Sequence, residues 1–168
     1  MEPIEWTGTG IRIIDQSRLP HEVVRLDLRR LEEVAEAIGT LRVRGAPLIG
    51  IAGGYGLALC GQAIQAGSQS GFMAELRRIA GALASTRPTA VNLRWALDRV
   101  LAAAERGPDV AAGKAAIIAE AAAIHQEERE ATRRLSDLGA GLVGDGSTVL
   151  THCNAGALAT GGYGTALG

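Results

Sequence analysis

The longest apolar stretch of the chain, LIGIAGGYGLAL from Leu48 to Leu59, is the strongest single constraint on the fold. It is too short and too rich in glycine to span a bilayer. It follows Arg44-Gly45-Ala46-Pro47, and proline is favoured in the first turn of a helix because its missing N–H would have no partner there. We therefore predict a nearly all-apolar helix that starts at this segment and ends near Ile64.

Composition limits the class of protein and its partners. The 168 residues suit one domain, or one domain and a fragment of another, and a hydrophobic content of 47% is sufficient for a buried core. A net charge of −1 and an aromatic content of 3% argue against nucleic acids and anionic membranes as partners. The N-terminal residues lack the positive segment and apolar run of a signal peptide, so we expect a soluble, cytoplasmic protein.

The two cysteines, Cys60 and Cys153, lie far apart in the chain, which has no CxxC motif and no Cys/His spacing typical of a zinc site. We therefore expect reduced thiols and no structural zinc. We also predict no catalytic metal and no other cofactor. Cys60 falls in the middle of the apolar helix, where a thiol serves as a small packing group.

Local patterns predict a β-hairpin followed by helices. Two short β-branched runs, at residues 11–14 and 22–26, flank the turn-like Ser17-Arg18-Leu19-Pro20. Apolar residues at helical spacing, with glycine and proline breaks, then predict the helices. The predicted helical ranges are 31–39, 46–64, 72–83, 91–105 and a long alanine-rich helix from after Pro108 to about 138. The polar face of this last helix includes Glu128.

The pattern changes after residue 139. A glycine-rich stretch leads to Thr148-Val149-Leu150-Thr151, which predicts a buried strand, and Asn154 begins a glycine-rich loop that leads into a helical pattern. A strand, a loop and a helix in this order form the first βα unit of a parallel α/β sheet, and one such unit has both strand edges bare. We predict a mixed fold: a hairpin and helical domain in residues 1–140, then the start of a Rossmann-like domain in 141–168, with its remainder absent.

Arg44-Gly45-Ala46 is the first candidate binding segment. Unpaired N–H groups and the helix dipole favour an anion at a helix N-terminus, Gly45 allows close approach of a ligand, and Arg44 offers a bidentate donor for phosphate. An ordinary helix start with a surface arginine fits the same residues.

Arg87-Pro88-Thr89 repeats the combination of arginine and proline before a helix. Arg44 and Arg87 would form a two-point phosphate clamp if the fold brings them together, and otherwise Arg87 is a solvated turn residue. Arg94 is a nearby competitor, but we expect its side chain to be exposed or ion-paired.

Cys153 follows the predicted strand, and ligands of open α/β folds gather at the carboxyl ends of strands. It is either a reactive thiol or a small packing group. His152 should point to the opposite face, which makes a Cys–His dyad a poor hypothesis. Neither His21, in the hairpin, nor His125, on the long helix, is a convincing partner for the thiol.

Three segments together resemble the methylthioribose-1-phosphate isomerase family. They are VRGAPLIGIAGGYGLAL, TRPTAVNLRWAL and THCNAGALATGGYGTALG, and they occur in the family's order. This family is related to ribose-1,5-bisphosphate isomerase and to the regulatory subunits of the eukaryotic translation-initiation guanine-nucleotide exchange factor. Family chains are much longer than this one.

The resemblance implies an aldose–ketose isomerase of methionine salvage, usually dimeric, that acts on 5-methylthioribose 1-phosphate. It implies that Arg44, Gly45, Ala46 and Arg87 bind substrate and that Cys153 is one of two catalytic groups. The second group in the family is an aspartate proton donor, which follows the cysteine in the later part of the chain. No residue here matches it, so we expect the 168 residues alone to be inactive. A ribose-1,5-bisphosphate isomerase and a non-catalytic regulatory subunit are the alternatives.

Overall fold

The N-terminal region of the computed structural model, which describes residues 2–168, is a three-stranded antiparallel sheet. Its strands are β1 (Ile4–Trp6), β2 (Ile11–Ile14) and β3 (Arg25–Leu28), in that spatial order. The predicted hairpin is β2 and β3, although β3 begins three residues later than predicted. The additional strand β1 pairs Ile4 with Ile13. Three residues are too few to show a clear alternation in the sequence.

Five helices follow the sheet. They are α1 (Leu31–Gly39), α2 (Ala46–Ala63), α3 (Gln69–Thr86), α4 (Val91–Glu105) and α5 (Val110–Ala140). All five were predicted, but α3 begins earlier than its apolar pattern suggests. The reason is that the Ser68 side chain accepts a hydrogen bond from the Gly71 N–H and so caps the helix at this point. Asp109 caps α5 in the same way, with the N–H of Ala112.

Helix α2 is the centre of the helical domain and contacts the other four helices. It is 18 residues long, and its length and composition would also suit a membrane span, but 78% of it is buried inside the fold. A helix that is apolar on every side is expected in a protein core. Its glycines allow close packing: a Cβ on Gly50 would lie 2.9 Å from the carbonyl oxygen of Asn92 on α4.

The C-terminal residues differ from the prediction. The expected strand at Thr148–Thr151 is not formed, and a short 3-10 helix, Ala157–Ala159, stands where a longer helix was expected. Leu142 and Leu150 are 90% and 97% exposed. A strand requires a hydrogen-bonded neighbour, and within residues 2–168 the only sheet lies at the N-terminus. The Rossmann-like unit is therefore not assembled in this structure.

Candidate functional site

The start of α2 is shaped by Gly45. This residue is the N-cap of the helix and has a φ of +103°, a region that side chains other than glycine rarely adopt. The N–H of Ile49 donates to the Gly45 carbonyl, which leaves the N–H groups of Ala46 and Leu48 without a helical acceptor. The first turn has no acidic residue, and Arg44 is exposed beside it. This helix start therefore has the features of an anion site.

Gly45 is also covered by the C-terminal part of the chain. A Cβ on Gly45 would lie 2.5 Å from the Cα and Cβ atoms of Ala159, which is too close for any real side chain. The 3-10 helix therefore packs directly against the start of α2, and glycine is required there for its conformation and for its lack of a side chain.

Arg87 lies in the connection between α3 and α4. Helix α4 begins at Val91, as predicted, with Ala90 as its N-cap, so Arg87 and Pro88 belong to the connection that precedes the helix. The Arg87 Nη1 atom is enclosed and has no hydrogen-bond acceptor among residues 2–168. A cavity of about 580 Å³ is bordered by Arg87, Pro88 and Arg94.

Arg44 and Arg87 differ from most arginines of this protein because neither pairs with a carboxylate of residues 2–168. Arg94, by contrast, is exposed and lies 3.5 Å from Asp98, one turn further along α4, as expected. Two guanidinium groups without carboxylate partners remain available for an external anion.

The packing of α2 on α4 places the two helix starts at one end of the domain. Gly50 contacts Asn92, and Gly53, further along α2, contacts Leu93 and Leu97, further along α4. Because these contacts advance in the same direction on both helices, the two helices have their N-termini on the same side. The Arg44 segment and the connection that carries Arg87 are both attached to this side.

Cys153 is exposed in the irregular segment before the 3-10 helix. Its φ of +64° is unusual for a residue with a side chain and marks a strained turn. Among the described residues no hydrogen bond joins it to Arg44 or Arg87. Its connection to the start of α2 is indirect, through the residues that follow it to Ala159. Cys60, by contrast, is half-buried, and burial raises the pKa of its thiol to about 11.

Residues 155–165, which we call the C-terminal loop, are held by side chains from distant parts of the chain. Gln16, just after β2, donates from Nε2 to the carbonyl of Leu158 at 2.6 Å. Ser136, near the end of α5, donates to the carbonyl of Thr165 at 2.8 Å. Both contacts involve loop backbone, so they fix the path of the loop whatever its side chains are.

Gly161 of the C-terminal loop is held by two side chains of α5. Glu128 accepts a hydrogen bond from the Gly161 N–H, and His125 Nε2 lies 3.0 Å from the Gly161 carbonyl oxygen. The other ring nitrogen, His125 Nδ1, lies 3.0 Å from the hydroxyl of Tyr55 on α2. The Tyr55 ring in turn stacks on Trp6, with 5.5 Å between the ring centroids.

These partners define the protonation state of His125. A carbonyl can only accept, so Nε2 carries the proton, and neutral Nδ1 then accepts from the Tyr55 hydroxyl. Burial lowers the pKa of His125, which favours this neutral form. Burial also raises the pKa of Glu128, and its second oxygen, Oε1, is enclosed without a partner among residues 2–168.

The contacts of Gln16, His125 and Glu128 with the C-terminal loop were not predicted from the sequence. His125 was considered only as a partner for the Cys153 thiol, and Glu128 was placed on the polar face of the long helix. Their three-residue spacing places both on one side of α5, and this was the only local signal. Nothing in the sequence shows that a loop more than 30 residues later covers that side.

Comparisons with known proteins show similarity over these residues. The family model of the initiation factor 2 subunit family matches residues 42–166. The methylthioribose-1-phosphate isomerase of Desulforudis audaxviator is 51% identical over 169 residues, which are 100% of this chain and 48% of that protein.

Two solved structures are similar to this fold. One is 5-methylthioribose 1-phosphate isomerase from Pyrococcus horikoshii, at a TM-score of 0.89 and 40% identity over 97% of this chain and 46% of that one. The other is translation initiation factor eIF-2B, subunit delta, from A. fulgidus, at a TM-score of 0.89 and 42% identity over 99% of this chain and 49% of that one.

The chain spans about half the length of the curated relatives it matches. Within that half, the similarity includes the start of α2, the connection before α4 and the C-terminal loop. The chain therefore belongs to the initiation factor 2 subunit family.

Proposed function

We propose that the protein is an aldose–ketose isomerase that converts 5-methylthioribose 1-phosphate to 5-methylthioribulose 1-phosphate in methionine salvage, with this chain as its N-terminal half. The isomerases among the relatives support the reaction. The structural observation that carries the proposal is the enclosed Nη1 of Arg87. A shielded guanidinium nitrogen costs free energy unless an acceptor pairs with it, and a phosphate oxygen is an acceptor of complementary charge.

In this proposal Arg44, Gly45, Ala46 and Arg87 bind the substrate phosphate. The N–H groups in the first turn of α2 that lack a helical acceptor can donate to an anion, and the helix dipole favours negative charge there. Arg44 and Arg87 approach from two different segments, which fixes orientation as well as position. Neither arginine has a carboxylate partner in residues 2–168 that a phosphate would need to displace.

The proposed chemistry begins with ring opening. The anomeric oxygen carries phosphate, so the ring cannot open by losing an anomeric proton. An acid instead protonates the ring oxygen, and the bond between that oxygen and C1 breaks. Either C2 then loses a proton to give an enol phosphate that is protonated at C1, or a hydride moves from C2 to C1. In both routes the C2 hydroxyl loses its proton and becomes the ketone, and no external oxidant is needed.

We propose Cys153 as a catalytic residue that assists these proton transfers as an acid, a base or a stabiliser of developing charge. Its exposed position leaves the thiol accessible to substrate. The acid that protonates the ring oxygen is proposed to be an aspartate supplied by the rest of the polypeptide. A buried carboxyl group can keep its proton at neutral pH and so serve as this donor.

The domain organisation is part of the proposal: residues 1–140 form the hairpin and helical domain, and 141–168 begin a second, Rossmann-like domain. Several apolar side chains near this boundary are exposed, namely Leu138, Leu142, Val143, Leu150 and Leu167. A cavity of about 750 Å³ lies between the end of α5 and the last residues. A second domain packed here would bury these side chains and give the strand at Thr148–Thr151 the neighbour it needs. We further propose a cytoplasmic homodimer.

Two other functions fit the same family. One is an isomerase of ribose 1,5-bisphosphate, which shares the phosphate at C1. The other is a non-catalytic regulatory subunit, which the similarity to translation initiation factor eIF-2B, subunit delta, brings into consideration. Cys153, at its strained and exposed turn, favours a catalytic role over a regulatory one.

The test is a turnover assay on the protein with the remainder of its polypeptide, using both sugar phosphates in parallel. We expect ketose 1-phosphate to form from 5-methylthioribose 1-phosphate at a higher kcat/KM than from ribose 1,5-bisphosphate, and no turnover with residues 1–168 alone. The reverse substrate preference would support the sibling isomerase. Tight binding of neither substrate, with no turnover, would support the regulatory subunit.

A further inference from the structure

The attachment of Gly161 to α5 has a consequence for the site at the start of α2. Gly161 is two residues from Ala159, and Ala159 covers Gly45. We propose that His125 and Glu128 are positioning residues that hold the C-terminal loop over the start of α2 and thereby shape its phosphate site. This inference rests on the function proposed above.

His125 and Glu128 hold both backbone groups of a single loop residue. His125 donates to the Gly161 carbonyl, and Glu128 accepts from the Gly161 N–H. They lie three residues apart on α5, so one rigid helix face presents both side chains. A residue held by both its donor and its acceptor can neither slide nor rotate without losing a hydrogen bond.

The attachment is connected to α2 by two routes. One route is through the loop, from Gly161 to Ala159 and then to Gly45. The other is through the His125 ring, whose Nδ1 bonds to the hydroxyl of Tyr55 on α2 itself. The C-terminal loop is thus held to both α2 and α5.

Glu128 is an unfavourable residue for this position unless it has a specific role. Its Oε1 atom is shielded from water without a partner among residues 2–168, and shielding an unpaired carboxylate oxygen destabilises a fold. What the side chain provides is the acceptor for Gly161. Burial also raises the pKa of Glu128, which agrees with this cost.

The experiment compares Glu128→Ala, Glu128→Gln and a matched control in the protein with its remaining polypeptide. The glutamine keeps an acceptor oxygen in the same place and should restore the attachment. Glu130→Ala is the control, because Glu130 is an exposed glutamate on the same helix whose hydrogen bond is to Gln126 and not to the loop. The readouts are the exchange rates of the amide protons of residues 159–162 and the dissociation constant of 5-methylthioribose 1-phosphate.

We expect Glu128→Ala to raise the exchange rate of the Gly161 amide by about tenfold or more, since this buried N–H loses its acceptor. The dissociation constant should rise by a similar factor, roughly tenfold. Glu128→Gln and Glu130→Ala should both stay within about twofold of the wild type in both readouts. Rescue by glutamine separates a positioning role from a general loss of stability.

Unchanged amide exchange in Glu128→Ala would overturn the attachment itself. Faster exchange with an unchanged dissociation constant would overturn the positioning role while the proposed function stands. A wild type that binds no sugar phosphate would overturn the proposed function and, with it, the positioning role. If Glu128→Ala does not fold, His125→Leu takes its place and is measured by the same two readouts. This substitution removes the donor to the Gly161 carbonyl.

Discussion

Ala159 packs against Gly45 so closely that a Cβ on Gly45 would lie 2.5 Å from the Cα of Ala159. The two residues are far apart in sequence, and their contact brings the C-terminal loop to the first turn of α2. The candidate phosphate site is therefore formed by two distant segments, and a change in either segment should affect the other.

The first prediction concerns Gly45→Ala. The new methyl group cannot be accommodated without moving Ala159, and alanine is strained at a φ of +103°. Backbone strain and overpacking each cost about 1–3 kcal/mol, so we expect a loss of roughly 2–6 kcal/mol in the free energy of unfolding. Urea unfolding measures it.

Gly81→Ala is the matched control for this change. Gly81 lies within α3, and a Cβ there meets no atom within 4 Å. Alanine favours a helix interior over glycine by about 0.8–1.0 kcal/mol, so this variant should be slightly more stable than the wild type. Equal effects of the two substitutions would show that Gly45 has no special role.

The second prediction concerns Arg87→Ala. If Nη1 donates to a substrate phosphate, its loss should weaken binding of 5-methylthioribose 1-phosphate by roughly 1.5–3 kcal/mol. Arg44→Ala should have an effect in the same range for the same reason. Calorimetric titration with the substrate measures both.

Arg134→Ala provides the comparison, because Arg134 is exposed, forms no ion pair within residues 2–168 and lies on α5. Its removal changes the net charge equally and should leave the dissociation constant nearly unchanged. An unchanged dissociation constant in Arg87→Ala or Arg44→Ala would remove that arginine from the proposed site.

The third prediction concerns Cys153→Ser in the protein with its remaining polypeptide. Because Cys153 is exposed, we expect the free energy of unfolding to change by no more than about 0.5 kcal/mol. Turnover should fall by orders of magnitude if the thiol takes part in proton transfer. Steady-state kinetics beside thermal unfolding separates the two effects, and retention of near-wild-type turnover would exclude the thiol from the mechanism. Cys60→Ala should retain turnover.

Helices were predictable from the sequence because their signals are local. Apolar spacing and breaks at glycine and proline located all five, and the errors were at ends, where a cap such as Ser68 decides the boundary. The prediction of a strand at Thr148–Thr151 was wrong for the opposite reason. A strand depends on a partner elsewhere in the chain, and residues 2–168 supply none.

The candidate site was predictable only in part. Motifs placed Arg44 and Arg87 near helix starts, but the enclosure of Arg87 Nη1 depends on packing that no local pattern reports. The roles of His125 and Glu128 depend on where the C-terminal loop lies, and that position is set by contacts over more than 30 residues of chain.

The fourth prediction is a pH dependence that separates Glu128→Gln from the wild type. The pKa of Glu128 is raised above its ordinary value because the side chain is buried. A group with a raised pKa in the folded state contributes its full stability below its unfolded pKa and loses that contribution as the pH rises through the folded pKa. The wild type should therefore lose stability relative to Glu128→Gln as the pH rises from about 4.5 to neutrality.

Thermal unfolding of both proteins between pH 4 and pH 8 measures this difference. His125 has the opposite effect because burial lowers its pKa. Its contribution to the stability of the fold is lost as the pH falls below about 6.5. It is present in both proteins, as are the neighbouring Arg129, Glu2 and Tyr55, so their contributions cancel in the difference between the two unfolding curves. A difference that is constant with pH, or that favours the wild type at neutral pH, would show that the Glu128 carboxyl is not destabilised by its surroundings. Such a result would leave only the hydrogen bond to Gly161 as its contribution to the fold.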